Sequence, residues 1–192
     1  MHEPFIFDII DNLPIYNKVA LDIGSHQGTI SKRLSKKFQT VYAFEPHPKN
    51  IERMHSRGVV DDNIIIIQKA ISNNNYGVKL FLNNNPYMHT ISQNTAKTYM
   101  NFDFIEVPSI TIDDFCQDKS VGFIKCDIEG AEEFVFDTAI NTLRNNEMNV
   151  IVEFHKGVAK KKIISLFQEY DYRIKKTSTI SDHILFSNIN NQ

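Results

Sequence analysis

The chain has 192 residues, of which 42% are hydrophobic and 23% are charged, and its formal net charge is −2. This length favours one domain, and these proportions exclude a wholly disordered chain. Proteins that bind duplex nucleic acid or anionic lipid normally carry a strongly basic face, so neither is expected as a partner. No apolar run approaches the ~20 residues that span a bilayer, so no membrane span is expected.

Residues 1–8 show neither the basic region nor the small-residue cleavage site of a signal peptide. The two cysteines, Cys116 and Cys126, have neither disulfide-framework nor metal-site spacing. Both observations predict a cytoplasmic protein.

Apolar strands and amphipathic helices alternate along the chain, which predicts an α/β fold with a parallel sheet covered by helices on both faces. Residues 5–13 are expected to form a helix that covers the sheet. The predicted buried strands are 19–23, 41–44, 64–67, 121–127 and 148–154. The predicted helices are 29–38, 48–57, 131–144 and 160–170. Residues 172–174 and 183–186 are expected to close the sheet as an antiparallel hairpin.

We expect a single domain over residues 1–192, with its N-terminal covering helix within residues 1–17. The regular alternation is interrupted at residues 73–109, where Asn-rich turns surround a weakly periodic stretch. Residues 78–82 suit an added strand near the sheet edge. The remainder of this insertion is expected to supply a substrate loop.

The end of the first strand predicts a ligand site, because doubly wound sheets bind ligands at the carboxyl ends of their strands. Gly24 and Gly28 permit a tight turn and close approach of a ligand before a helix begins. Asp22 would repel pyrophosphate, and Glu45 ends the second strand at the separation where an acid meets ribose hydroxyls. These features favour a ligand with a ribose, a positive centre and no phosphates, as in S-adenosylmethionine. The alternative is an ordinary strand-to-helix turn.

Ionisable residues also end the fourth and fifth strands. Asp127 and Glu129 are two residues apart, as are Glu153 and His155, so each pair points to one side of an extended chain. Glu132 falls in the first turn of the next helix, where a carboxylate suits the helix dipole. Helix capping and strand-end hydrogen bonds are the alternatives, but such a cluster on adjacent strands favours a functional site.

In their order and spacing, six stretches resemble the FkbM family of S-adenosylmethionine-dependent methyltransferases. They are residues 21–28, 41–48, 69–73, 110–115, 123–132 and 151–153. Ser25-His26 stands where the family often has Ala-Asn, and Cys126 where Ile or Val is common.

The resemblance implies a Rossmann-like class I methyltransferase fold: a mostly parallel seven-stranded sheet, helices on both faces and an antiparallel last strand. It also implies a cofactor site for S-adenosylmethionine. Within it, Asp22, Gly24 and Gly28 hold the methionine end, Glu45 takes the ribose hydroxyls, and Pro46 borders the adenine. The other implied cofactor-binding residues are Ser25 and His26 in the first loop, Ala70 and Ile71 beside the adenine, and Asp127 facing the sulfonium or the acceptor.

The family mostly methylates hydroxyl groups, many of them on sugars, glycans and polyketide-type products. A neutral hydroxyl needs a base. His155 is the first candidate, because the ordinary pKa of an imidazole, ~6.5, suits proton transfer at neutral pH. Glu153 is expected to orient His155, and Asp127 is the competing base. A divalent ion held by these three residues and Glu129 is the alternative. We predict no metal, because strand-end carboxylates more often serve hydrogen bonds.

The predicted partner is a hydroxylated small molecule or a glycan acceptor. Tyr87, His89 and Glu129 are the candidate substrate-binding residues. His2, His47, His55 and His183 are interpreted as surface residues. A chain of this length has little room for a substrate domain, so the acceptor is held by the insertion, the N-terminal helix or a second subunit of a homodimer.

Two other functions remain open. One is a nicotinamide-dependent oxidoreductase, which the missing G-x-G-x-x-G motif and the position of Asp22 argue against. The other is a non-catalytic binding module in a glycan-assembly complex.

Overall fold

A computed structural model describes residues 4–99 and 103–189 of the chain. Of the regions expected above, residues 1–3 and 100–102 lie outside the described residues. In chain order, the elements are α1 (Pro4–Asp11), β1 (Tyr16–Ile23), α2 (Thr29–Leu34), β2 (Phe38–Phe44), α3 (Pro48–Ser56), β3 (Ile64–Ile67), β4 (Ala70–Ile71), β5 (Val78–Phe81), α4 (Gln93–Thr98), β6 (Phe104–Val107), β7 (Ser109–Ile110), α5 (Ile112–Cys116), β8 (Val121–Cys126), α6 (Glu132–Phe136), α7 (Ile140–Asn145), β9 (Asn149–Glu153), α8 (Lys160–Glu169), β10 (Arg173–Thr177) and β11 (His183–Ser187).

Seven strands form one sheet in the order β10-β11-β9-β8-β1-β2-β3. Within this sheet, neighbouring strands pair in parallel along the series β3, β2, β1, β8 and β9. In contrast, β11 runs antiparallel to both β9 and β10. This confirms the predicted parallel α/β sheet and its antiparallel last strand. The strand order reverses between β1 and β8, so their carboxyl ends diverge into a crevice where ligands bind in such sheets.

Helices cover both faces of the sheet. Leu21 and Ile124 pack into an apolar cluster with α5 to α8, whereas Ala20 and Phe123 pack on the opposite face with α1 and α2. Alternate residues of one strand thus enter different layers, as the pleat requires. All six residues of β8 are buried, which explains its nearly continuous apolar sequence.

Two predicted helices are shorter than expected. The helix predicted over residues 29–38 ends at Leu34, because Phe38 begins β2, pairs with Tyr16 and stacks on its ring with centroids 5.1 Å apart. The helix predicted over residues 131–144 is divided into α6 and α7. The Asp113 carboxylate accepts hydrogen bonds from the backbone N–H groups of Asn141 and Thr142 in the first turn of α7. These hydrogen bonds cap the N-terminus of α7 and so begin a separate helix.

The region expected to form an insertion is anchored by a small parallel sheet. Ala70 pairs with Ser109 and Ile71 with Ile110, so the chain before the region lies beside the chain after it. Within the region, β5 pairs with β6 in a separate antiparallel ribbon. The expectation that residues 78–82 join the main sheet near its edge is therefore wrong.

Candidate functional site

A cavity of about 790 Å³ opens at the carboxyl ends of β1, β2, β8 and β9. Most of the candidate residues line it: Gly24, Ser25, His26, Glu45, Pro46, Ala70, Ile71, Tyr87, His89, Asp127, Glu129 and Glu153. The remaining three, Asp22, Gly28 and His155, do not line its wall. The folded chain thus brings together residues that are separated by more than a hundred positions in the sequence.

The loop after β1 depends on its glycines. Gly24 has φ +78°, and a Cβ atom placed there would lie 2.0 Å from the backbone oxygen of Asp127. Gly28 has φ +77° and is packed closely against Met54 and Val59. Side chains at these positions would meet both backbone strain and a steric clash. The loop is therefore fitted tightly between β8 and α3.

Glu45 lies at the end of β2 and is 5% exposed. Its two carboxylate oxygens accept hydrogen bonds from the backbone N–H groups of His26, at 2.9 Å, and His47, at 2.8 Å. Burial raises the pKa of Glu45 to about 7, although these hydrogen bonds oppose the rise. The group is therefore a fixed acceptor at the cavity wall that titrates near neutral pH.

Asp22 is fully buried beneath this loop. Its Oδ2 atom accepts a 2.6 Å hydrogen bond from the Ser31 hydroxyl at the start of α2. Burial raises its pKa, while Lys125 and Ser31 oppose that shift. This hydrogen bond connects the end of β1 to α2, the two elements that the loop joins.

Lys125 is a site residue that the sequence analysis missed. It is 4% exposed, and its Nζ atom donates a 2.9 Å hydrogen bond to the Gly24 carbonyl. The same atom lies 3.4 Å from Oδ2 of Asp127 and 3.6 Å from Oδ1 of Asp22. A lone lysine inside the apolar stretch of residues 121–126 was the available signal, since a fully buried lysine requires charged partners.

Asp127 and Glu153 form a hydrogen-bonded carboxyl pair at the ends of β8 and β9. Burial and the neighbouring charge of Asp127 raise the pKa of Glu153 to about 8. Burial also acts to raise the pKa of Asp127, but Lys125, His155 and a hydrogen bond with Glu153 outweigh it and lower the pKa. At neutral pH, Glu153 is thus mainly protonated, and Asp127 is the ionised member of the pair.

His155 is held by carboxylates other than the predicted one. Its Nδ1 atom lies 2.8 Å from Oε1 of the fully buried Glu132, and its Nε2 atom lies 3.4 Å from Oε2 of Glu129. Burial opposes protonation of the ring, but Glu129 and Glu132 outweigh it and raise the pKa of His155 to about 11. The imidazole is therefore a cation at neutral pH. Glu129 lies in the turn that follows β8 and has a left-handed backbone conformation, with φ +55°.

Two histidines interpreted as surface residues are buried. His47 is 8% exposed and His183 is 1% exposed. The antiparallel register of β11 places His183 opposite Glu153, with Nε2 3.3 Å from Oε2. The expectation was wrong for His183 because the register of β11 places it against β9, and for His47 because it lies between β2 and α3 with its ring 4.6 Å from that of His89.

The region containing β5 and β6 contributes the rings of Tyr87 and His89 to the lining of the cavity. The Tyr87 ring lies 4.2 Å from that of His26, and the His89 ring lies 4.6 Å from that of His47. Burial is the largest cause that lowers the pKa of both His26 and His89 to about 4, so both rings are neutral at pH 7. The segment around Tyr87 therefore contacts the loop that follows β1.

Metal-ligating atoms of Asp127, Glu153 and His155 lie within 4.8 Å of one another. Two features of this group oppose a cation: the Lys125 ammonium beside Asp127, and the positive charge of His155. That these residues hold no metal stays a prediction.

The strand order, the glycine-bounded loop after β1 and the acid at the end of β2 define a Rossmann-like methyltransferase fold. The Methyltransferase FkbM domain matches residues 22–174, which is most of the chain. The chain belongs to this family of S-adenosylmethionine-dependent methyltransferases, as the sequence motifs predicted. A comparison with curated proteins found no match.

Solved structures support the fold assignment. The FkbM methyltransferase of Methylobacillus flagellatus KT superposes with a TM-score of 0.62 at 21% identity, covering 89% of this chain and 43% of that protein. This chain thus spans less than half of that relative. SMU.1697c from Streptococcus mutans, solved in complex with SAH, gives a TM-score of 0.51 at 12% identity and covers 95% and 93% of the two chains. Precorrin 8W decarboxylase from Methanobacterium thermoautotrophicum gives 0.58 at 11% identity and covers 97% and 90%.

Proposed function

We propose that this chain is an S-adenosylmethionine-dependent O-methyltransferase that acts on a hydroxyl group of a sugar, a glycan or a related natural product. The observation that carries the proposal is the position of an ionised carboxylate, Asp127, in the wall of the same cavity as the Gly24 loop and Glu45. Membership of the FkbM family supplies the reaction class.

The cofactor occupies the half of the cavity between β1 and β2. Gly24, Ser25 and His26 contact its methionine end, and Glu45 accepts hydrogen bonds from its ribose hydroxyls. Pro46, Ala70 and Ile71 enclose the adenine. Support for this placement comes from the lining of the cavity and from the two oxygens that Glu45 already uses as acceptors. Asp22 and Gly28 act from outside the wall by holding the loop.

S-adenosylmethionine supplies a methyl group activated by its sulfonium, so the protein mainly aligns the reacting groups. When bound, the cofactor would transfer this methyl group to the acceptor oxygen and leave as SAH, and Asp127 would accept the proton of the acceptor hydroxyl. His155 is a poorer base because it is already protonated, and its role is to stabilise the carboxylates around it. Glu153 shares a hydrogen bond with Asp127 and keeps it oriented.

The acceptor is held by Glu129 and by the segment that carries Tyr87 and His89. All three side chains line the cavity. Aromatic rings suit the apolar faces of a sugar, and the carboxylate suits its hydroxyl groups. In this proposal, residues 1–192 act as one domain and residues 73–109 provide the substrate loop.

Calorimetry with SAH, followed by mass spectrometry of sugars and glycans incubated with isotopically labelled S-adenosylmethionine, tests the proposal. We expect binding of SAH and a mass increase of one methyl group on a hydroxylated acceptor. Binding without turnover on any acceptor would instead favour the non-catalytic module. Binding of NAD in place of SAH would favour the oxidoreductase, against the family assignment.

Asp127→Asn tests the base. We expect turnover to fall by roughly 10²–10⁴-fold, the usual contribution of a general base, while SAH still binds. Unchanged turnover would remove Asp127 from this role. Loss of wild-type activity in EDTA, restored by one added ion, would favour the metal-assisted alternative.

Two further proposals concern the setting of the enzyme. Both cysteines are buried and free, which supports a reducing cytoplasm. None of the helices among the described residues is long and apolar enough to cross a membrane.

The second proposal is a homodimer, which would supply additional walls for the acceptor. Light scattering with and without SAH would detect it.

A further inference from the structure

We propose that Lys125 is a positioning residue whose ammonium group fixes the cofactor loop and the proposed base, Asp127, relative to each other. The inference rests on the proposed function, because it concerns how the same site is arranged. Lys125 itself has no role in the proton transfer described above. Its importance follows from the three groups that converge on its Nζ atom.

The sheet register explains this convergence. Lys125 is paired with Asp22 across β8 and β1, so the two side chains lie on one face of the sheet. Asp127 follows two residues later, on the same side of the chain. The lysine side chain reaches the carboxyl edge of the sheet, where its Nζ atom lies 2.9 Å from the Gly24 oxygen and 3.4 Å from Oδ2 of Asp127. One ammonium group therefore contacts both the loop and the base.

The burial of Lys125 makes these contacts consequential. A buried ammonium group is costly unless it is paired, and removing one member of a buried pair leaves the others without compensation. The nearby carboxylates outweigh desolvation and raise the pKa of Lys125 above its ordinary value, so the group remains charged. The ionisable groups that interact with Asp127 come from several elements: Lys125, Asp22, Glu153, His155, His183, His26 and Cys126.

Lys125→Met removes the charge but keeps an unbranched side chain. An opposite charge at this distance typically shifts a carboxyl pKa by ~1–3 units. When kcat is measured against pH, it should fall on the acid side as Asp127 takes up a proton; we call this part of the profile the acid limb. In Lys125→Met we expect the acid limb to lie about 1–3 pH units higher than in the wild type. We also expect SAH affinity to fall by about tenfold, the loss of roughly one charged hydrogen bond. Lys125→Arg keeps the charge and should leave the acid limb near its wild-type position. Lys161→Met, on an exposed face of α8, is the control.

A folded Lys125→Met protein with wild-type SAH affinity and an unmoved acid limb would overturn the proposal. If that variant does not fold, the carboxyl carbon of Asp127 can be titrated by NMR in the wild-type protein and in His155→Gln. A pKa below the ordinary ~3.9 in both the wild type and His155→Gln supports the proposal, because the other strong cation beside Asp127 is then absent, and a value at or above it in either protein overturns the proposal. This titration requires no turnover, so its result is independent of whether the wild-type protein transfers methyl groups.

Discussion

The imidazole of His155 and the carboxylate of Glu132 form a 2.8 Å contact between Nδ1 and Oε1, although the two residues belong to different elements. Glu132 begins α6 and also accepts a hydrogen bond from the backbone N–H of Gly130 at 3.1 Å. The contact therefore joins the end of β9 to the turn that follows β8. It stabilises the part of the cavity wall that carries Asp127 and Glu129.

This contact predicts a pH-dependent stability. The folded protein raises the pKa of His155 to about 11, from an ordinary value near 6.5, so folding favours the protonated ring. The contribution to the free energy of unfolding is complete below about pH 6.5 and is lost as the pH rises through the folded pKa. In urea unfolding at pH 6, 8 and 10, the stability difference between wild type and His155→Gln should shrink as the pH rises.

The exposed His55 offers a matched control, since His55→Gln removes an imidazole from the surface of α3. We expect it to leave the free energy of unfolding within about 0.5 kcal/mol of wild type. A His155→Gln difference that stays constant from pH 6 to 10 would show that the ring is not held as a cation.

A second prediction concerns Glu45→Gln. Hydrogen bonds to a charged group contribute ~1.5–3 kcal/mol, so SAH affinity should fall by roughly ten- to a hundredfold. Because the pKa of Glu45 is about 7 in the unliganded protein, wild-type affinity should also decrease between pH 8 and pH 6 as the carboxylate takes up a proton. Calorimetry at both pH values measures these effects. Glu52→Gln, on an exposed position of α3, is the control. Wild-type affinity in Glu45→Gln would exclude the ribose contact.

A third prediction separates backbone strain from steric contact in the loop after β1. Gly24 and Gly58 both have positive φ angles, +78° and +60°, but only Gly24 lies against backbone atoms. Either substitution by alanine introduces strain of ~1–2 kcal/mol. Gly24→Ala should also displace the Asp127 backbone, so it should lower the thermal midpoint more than Gly58→Ala and abolish SAH binding. Equal effects of the two substitutions would mean that the loop adjusts without disturbing β8.

Much of the site follows from one rule of parallel sheets. Once residues 19–23, 41–44 and 121–127 are recognised as neighbouring buried strands, the polar residues at their ends must meet at one edge. The carboxylates of Glu45 and Asp127 could therefore be assigned to one cavity from sequence. The same rule could have identified Lys125. A charged residue in a strand that is covered on both faces requires charged or polar partners, and these are found at the edge where the strands end.

Other features depend on contacts that local patterns do not encode. The division of the predicted helix over residues 131–144 depends on Asp113, which lies in a different element. The protonation of His155 depends on Glu132, 23 residues earlier, which the sequence analysis assigned to the helix start. The burial of His183 depends on the antiparallel register with β9. These misses share one cause: each requires the distance between side chains brought together only by the tertiary fold.

The last prediction addresses the acceptor side of the cavity. Tyr87 lies 4.2 Å from the His26 ring, whereas Tyr76, in the same insertion, is 97% exposed and does not line the cavity. If Tyr87 packs against the acceptor, Tyr87→Ala should raise the acceptor KM by about tenfold, the ~1.4 kcal/mol expected from one aromatic contact. Tyr76→Ala should leave it unchanged. Steady-state kinetics on the first acceptor identified by mass spectrometry would measure both, with SAH calorimetry run in parallel. A loss of SAH affinity with an unchanged acceptor KM would instead assign Tyr87 to the cofactor, through its contact with the loop that follows β1.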